Sequence, residues 1–200
     1  MKFLIIGLGS IGQRHVQNLA ATGDHEFLAY RVRENPLPNG APFDSIRVIK
    51  DLDEALSEKP DATLVCGPTA THIEVAQRVV DSGSNLFIEK PLSNNLDGLD
   101  KLVENANQKK LISLVGFNLR FHSPLKRLRH AILEGKIGEI QGLRCQVGQY
   151  LPNWHPDEDY RQSYSAQKSL GGGVVLDLIH EIDLAIWIAG LPTEVSAFTS

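Results

Sequence analysis

Six residues near the start carry the clearest chemical signal: Gly7, Leu8, Gly9, Ser10, Ile11 and Gly12 form a G-x-G-x-x-G loop. The hydrophobic pattern predicts a strand over Lys2–Ile6 before it and a helix over Ile11–Thr22 after it. In that setting the first glycine permits a tight turn, and the second lets backbone approach a pyrophosphate. The third lets the helix pack on the strand, and the helix N-terminus adds amides and partial positive charge. The loop therefore predicts dinucleotide binding. About 20 residues further on, where an NAD site usually offers an acid to the ribose, this chain has Arg31. A guanidinium cannot accept from hydroxyls but pairs well with a 2′-phosphate. NADP is the expected cofactor, with NAD the alternative; a solvated surface role for Arg31 is the plainer reading.

Further along, Gly171-Gly172-Gly173 precedes an apolar stretch, Val174–Ala189, that reads as one helix. Asp177 and His180 are three apart there and would share a face. Asp177, His180 and Glu181 also have spacing that would suit a metal, but no further ligand cluster stands out and none is expected. The plainer readings are a core histidine and an aspartate favouring the helix dipole. The irregular segment Leu151–Lys168 carries Trp154, Tyr160, Arg161 and Tyr164, which fit either sugar recognition or packing at a domain junction.

The elements that must position these groups alternate in the first half, the pattern of βαβ units with a parallel sheet. Strands are expected at Lys2–Ile6, Glu26–Tyr30, Ile46–Ile49, Ala62–Cys66, Asn85–Glu89 and Ile112–Gly116. Helices are expected at Ile11–Thr22, Leu52–Glu58, Thr71–Ser82 and Leu96–Lys109. In the second half a helix is expected over Pro124–Glu134, a long strand over Gly138–Tyr150, and the start of another over Val195–Thr199. A domain boundary is expected near residue 120, dividing 1–120 from 121–200. Two hundred residues with 42% hydrophobic side chains suffice for a sizeable core. Twenty Lys and Arg against 24 Asp and Glu leave a net charge of -4, which gives no reason to expect nucleic acid or a membrane as partner. No apolar run approaches a bilayer span of roughly 20 residues. The apolar start at Met1–Ile6 breaks at Gly7, unlike a signal peptide. Cys66 and Cys145 show neither metal spacing nor a disulfide framework, which fits a reducing cytoplasm.

Five segments together resemble the glucose–fructose oxidoreductase, inositol dehydrogenase and rhizopine-catabolism (Gfo/Idh/MocA) family of NAD(P)-dependent oxidoreductases. They are Gly7–His15, Pro68–Ala76, Glu89-Lys90-Pro91, Val115–Arg120 and Gly171–Asp183. The resemblance implies an α/β chain: a Rossmann doubly wound sheet followed by a second, open-sheet α/β domain. It implies oxidation or reduction of a secondary alcohol or ketone on a sugar, cyclitol or nucleotide-sugar. By the same likeness Lys90 matches a catalytic lysine, His180 a catalytic histidine and Asp177 a substrate-orienting acid. Cofactor contacts are implied for Gly7, Gly9, Ser10, Ile11, Gly12, Pro68, Thr69, His72, Glu89, Lys90 and Asn118, beside Arg31. A strand-end lysine before proline is the plainer reading of Lys90. Two departures stand out. The Asp177–His180 spacing is three where many members have four. Members also usually run well past 300 residues, so the second sheet is expected to be incomplete: either the chain is truncated, or a homo-oligomer covers the exposed surface. A non-catalytic dinucleotide-binding module or fragment is the alternative function.

Overall fold

The computed structural model describes residues 1–32, 36–154 and 159–198. Six parallel strands form one sheet: β1 (Lys2–Ile6), β2 (Glu26–Tyr30), β3 (Arg47–Ile49), β4 (Ala62–Val65), β5 (Asn85–Ile88) and β6 (Ser113–Val115). Their spatial order is β3-β2-β1-β4-β5-β6. The chain thus builds outward from β1 in one direction, crosses back, and builds outward from β4 in the other. Right-handed crossovers then put connecting helices on opposite faces. Helix α1 (Ser10–Ala20) covers one face, and α2 (Leu52–Ser57), α3 (His72–Ser82) and α4 (Leu99–Gln108) cover the other.

The period-2 alternation of β1 shows why both faces fill. Leu4 and Ile6 point into the cluster formed with Ala55, Ala76, Val79 and Leu102. Phe3 and Ile5 point into the cluster with Val16, Phe27 and Leu64. Among the described residues, every buried hydrophobic side chain lies between Phe3 and Ala106. Local chemistry closes the helices: the Asp51 carboxylate accepts from the Glu54 amide at 2.8 Å to cap α2, and α3 stops at Gly83.

The second half departs from expectation. Helix α5 (Ser123–Leu133) forms as its pattern predicts. The expected strand over Gly138–Tyr150 does not form, nor does strand structure over 195–198, while Thr199 lies outside the described residues. Alternation specifies two faces but supplies no ladder partner, and among the described residues no other strand in this half offers its backbone groups. Ile137, Ile140, Leu143 and Val147 are accordingly exposed. The expected single helix over Val174–Ala189 is two: α6 (Val174–Asp177) and α7 (His180–Ala189), interrupted where Leu178 leaves helical geometry at φ -97° and ψ 33°. Asp177 and His180 therefore do not share a continuous helix face. Between Leu151 and Leu170 the described residues make four short 3₁₀ turns.

The loop after β1 is sterically committed. A Cβ on Gly12 would overlap the Gly7 carbonyl oxygen, whereas one on Gly9 would meet nothing within 4 Å. Gly12→Ala should therefore destabilise the chain by about 1–3 kcal/mol. Gly9→Ala should stay within about 0.5 kcal/mol of wild type. Urea midpoints at constant slope measure both, and equal midpoints for the two variants would contradict this account.

Candidate active site

The carboxyl ends of β1 and β4 are where the strand order reverses, and a doubly wound sheet opens a crevice at such a point. Gly7 follows β1 and its amide donates to the Tyr30 carbonyl at 2.9 Å. Gly9 and Ser10 are exposed, Ile11 is half-buried and Gly12 is buried. No side chain caps the N-terminus of α1, and its first turn carries no acid. Amides at a helix start with an open approach over Gly9 suit an anion such as a pyrophosphate. Arg31 directly follows β2 on the same edge, and Pro68 and Thr69 follow β4. These residues fit a dinucleotide, whose phosphates the α1 amides would hold.

The neighbouring histidines have internal partners. His72 is 1% exposed, with Nδ1 2.9 Å from the Pro91 carbonyl and Nε2 2.9 Å from the Gly67 carbonyl. It staples the loop after β4 to the loop after β5. Burial pushes its pKa below the ordinary histidine value, against the opposing pull of those carbonyls. Glu89, at the end of β5, is also engaged on both oxygens. One lies 2.6 Å from His15 Nε2 on α1, and the other accepts from the Lys90 amide at 3.1 Å. This carboxylate ties α1 to the strand end bearing Lys90. Asn118 is exposed in the turn after β6.

Lys90 and Asp177 come together across 87 residues. The Lys90 ammonium donates to the Asp177 carbonyl at 2.7 Å and lies 3.6 Å from its carboxylate. In an unbroken helix that carbonyl would accept from residue 181; the break at Leu178 releases it to the lysine. His180, opening α7, is half-buried. Burial and then the Lys90 charge lower its pKa, while Glu181, Asp183 and Glu89 oppose them. Its Nδ1 is buried without a partner. An imidazole held neutral beside an ammonium can accept a proton from a hydroxyl whose oxygen the ammonium steadies.

The triple glycine has a packing reason rather than a ligand reason at two of its positions. A Cβ on Gly171 would press on the Thr69 side chain, and one on Gly172 would overlap the Tyr164 carbonyl; only Gly173 faces open space. The Tyr164 hydroxyl bonds to Thr69 Oγ1 and donates to the Gly171 carbonyl at 3.2 Å. Of the four side chains picked out in that segment, Tyr164 makes a junction, and Arg161 pairs locally with Asp159. Tyr160 is exposed. Trp154 lines a hollow with Gln149, Ser165 and Asp177. Sequence reasoning did not pair His15 with Glu89, nor Arg120 with Asp183, whose side chains meet across 63 residues. Among the described residues no three His, Cys, Asp or Glu side chains converge as metal ligands.

The two lowered histidines set the sign of one stability trend. Below about pH 6.5 the unfolded chain takes up protons that folded His72 and His180 resist, so stability falls as pH drops through that window. The urea midpoint should be lower at pH 5.5 than at pH 7.5. The difference should shrink in His72→Asn and, less, in His180→Asn, since His180 is only half-buried. An unchanged pH slope in both variants would remove histidine burial as its cause.

Comparison with known proteins places this geometry. Residues 1–117 match the oxidoreductase family with an NAD-binding Rossmann fold, and residues 125–200 match the GFO/IDH/MocA C-terminal domain. A myo-inositol 2-dehydrogenase of Thermotoga maritima is 34% identical over 198 residues, covering 97% of this chain and 56% of that protein. The crystal structure of a probable dehydrogenase from Thermotoga maritima is 32% identical with a TM-score of 0.74, covering 95% of this chain and 55% of the other. The scyllo-inositol dehydrogenase of Lactobacillus casei, solved with NAD(H) and scyllo-inositol, has a TM-score of 0.75 at 23% identity over 95% of this chain and 56% of its own, a likeness of fold. The chain thus spans about half the length of the relatives it matches. No helix among the described residues is long and apolar enough to cross a membrane. With both halves matched, and with a lysine, an aspartate and a histidine gathered at the carboxyl edge of a Rossmann sheet, this chain belongs to the Gfo/Idh/MocA family of oxidoreductases.

Proposed function

We propose that residues 1–120 bind a nicotinamide dinucleotide and that the whole protein interconverts a secondary alcohol and a ketone on a sugar, cyclitol or nucleotide-sugar. The observation that carries this reading is the Lys90 ammonium held on Asp177 beside a half-buried His180. The relative named a myo-inositol 2-dehydrogenase and the neighbour holding NAD(H) with scyllo-inositol support a polyhydroxylated ring as substrate.

Each residue then has a task. The amides at the start of α1, reached over Gly9, hold the cofactor phosphates, and Pro68 and Thr69 border the same crevice. When bound, the dinucleotide supplies hydride transfer at its nicotinamide. His180 takes the substrate hydroxyl proton in the oxidation direction and returns it in reduction. Its lowered pKa keeps it a competent acceptor near neutral pH. Lys90 keeps N–H donors beyond the one given to Asp177. It turns one toward the reacting oxygen and stabilises the charge that develops there. Asp177 orients the substrate and anchors Lys90. Arg31, where an NAD site carries an acid, favours NADP. The free state of both Cys66 and Cys145 supports a reducing, cytoplasmic setting. The exposed apolar side chains between Ile137 and Val147 support burial of this half in a homo-oligomer.

Fluorescence titration of the chain with NADPH and NADH tests the cofactor reading. Saturable binding with NADPH preferred is expected, and Arg31→Asp should reverse the preference by roughly tenfold. Absence of binding to either by the folded chain would overturn the reading; an unchanged ratio in the variant would remove only Arg31. For the whole protein, Lys90→Ala should lower turnover on polyols by about 10²–10³-fold. Undiminished turnover would sink the assigned mechanism.

A further inference from the structure

One charged contact between the second half and the sheet is built unlike the others. Asp183 lies one turn after His180 on α7 and is 6% exposed. Its carboxylate accepts from Arg120 Nε at 2.9 and 3.2 Å and from Nη2 of the same guanidinium. Arg120 belongs to the turn Asn118–Phe121 that leaves β6. Its guanidinium also lies 5.5 Å from the centre of the Phe117 ring. Phe117 in turn meets the His180 ring edge-on, with centroids 6.2 Å apart. Arg120 thus grips one neighbour of His180 and covers another.

We propose that Arg120 and Asp183 are positioning residues for His180. The pair docks the first turn of α7 onto the segment leaving β6, and it neutralises a carboxylate one turn from the imidazole on the same helix. His180 then meets the field of Lys90 rather than that of a bare aspartate. The catalytic meaning of this inference rests on the function proposed above; the charge pairing does not. The charged groups around the imidazole are Lys90 and Glu89 from the end of β5, Glu181 and Asp183 from α7, and Arg120 from the turn after β6; Asp177 of α6 reaches it through Lys90. A planar fork matched to a carboxylate explains why arginine stands here: a lysine keeps the charge but not the paired bonds.

The test separates charge pairing from simple packing because it predicts opposite signs. The His180 ring resonances of the full chain are followed by proton NMR from pH 5 to 9 and identified by their loss in His180→Asn. Asp183→Asn removes the nearby negative charge and should lower the His180 midpoint by about half a pH unit. Arg120→Gln leaves Asp183 uncompensated and should raise it by a similar amount, while the double variant should return close to wild type. Arg120→Lys should lie nearer wild type than Arg120→Gln. Loss of packing alone would open the ring to solvent and raise the midpoint in both single variants. A shift of the same sign in both, or no shift in either, would overturn the proposal. If Arg120→Gln does not fold, the sign for Asp183→Asn, an isosteric change, decides alone. Titrating the same samples with dinucleotide keeps the two readings apart. Opposite shifts without dinucleotide binding would remove the catalytic reading and keep the pairing; shifts of one sign with binding intact would remove the pairing alone.

Discussion

An ammonium taken partly out of water must find acceptors, and at the carboxyl edge of this sheet that requirement joins the two halves of the molecule. Lys90, with 20% of its side chain exposed, finds both an oxygen and a counter-charge on Asp177. The arrangement needs three things at once. β5 must end so that Lys90 projects past the sheet, the loop after β4 must accept Gly171 against it, and the apolar helix must break so that a carbonyl is released. The stapling of Gly67 to Pro91 by His72 and the bridge from His15 through Glu89 serve the first of these. The Tyr164 junction with Thr69 and the Gly171 carbonyl serves the second. The departure of Leu178 from helical geometry serves the third.

Much of the first half was legible because its signals are local. The hydrophobic pattern located all six strands to within a residue or two. The helix expected over Leu96–Lys109 begins later, at Leu99, because Gly98 preceding it lies in the left-handed region at φ 76°. The second half was less legible for a physical reason. Alternation over Gly138–Tyr150 describes which way side chains would face in a strand, but a strand exists only with a partner. The apolar pattern of Val174–Ala189 likewise carried no mark of the break at Leu178, beside which the Asp177 carbonyl accepts from a lysine 87 positions away.

The candidate site divides along the same line. The glycine loop could be read from residue types, and Lys90, Asp177 and His180 were picked out by likeness to a family. The contacts that hold them were not readable: Arg120 with Asp183 and His15 with Glu89 join residues 63 and 74 apart, and neither pairing leaves a local pattern. Nor did the triple glycine reveal its reason. It reads as room for a ligand, yet two of its three positions are spoken for by the chain's own backbone and side chains.

The confinement of buried hydrophobic side chains to Phe3–Ala106 bears on how firmly the two halves hold their shape. Amides of the central strands β1 and β4, flanked on both faces, exchange their hydrogens only when the whole sheet opens. Those of α5 and α7, tethered by a few polar contacts such as Arg129 to the Trp187 carbonyl, exchange through smaller and more frequent openings. His180 therefore rides on the less protected part of the molecule and Lys90 on the more protected part. Anything that settles between them, drawing on both, tightens the first without needing to move the second.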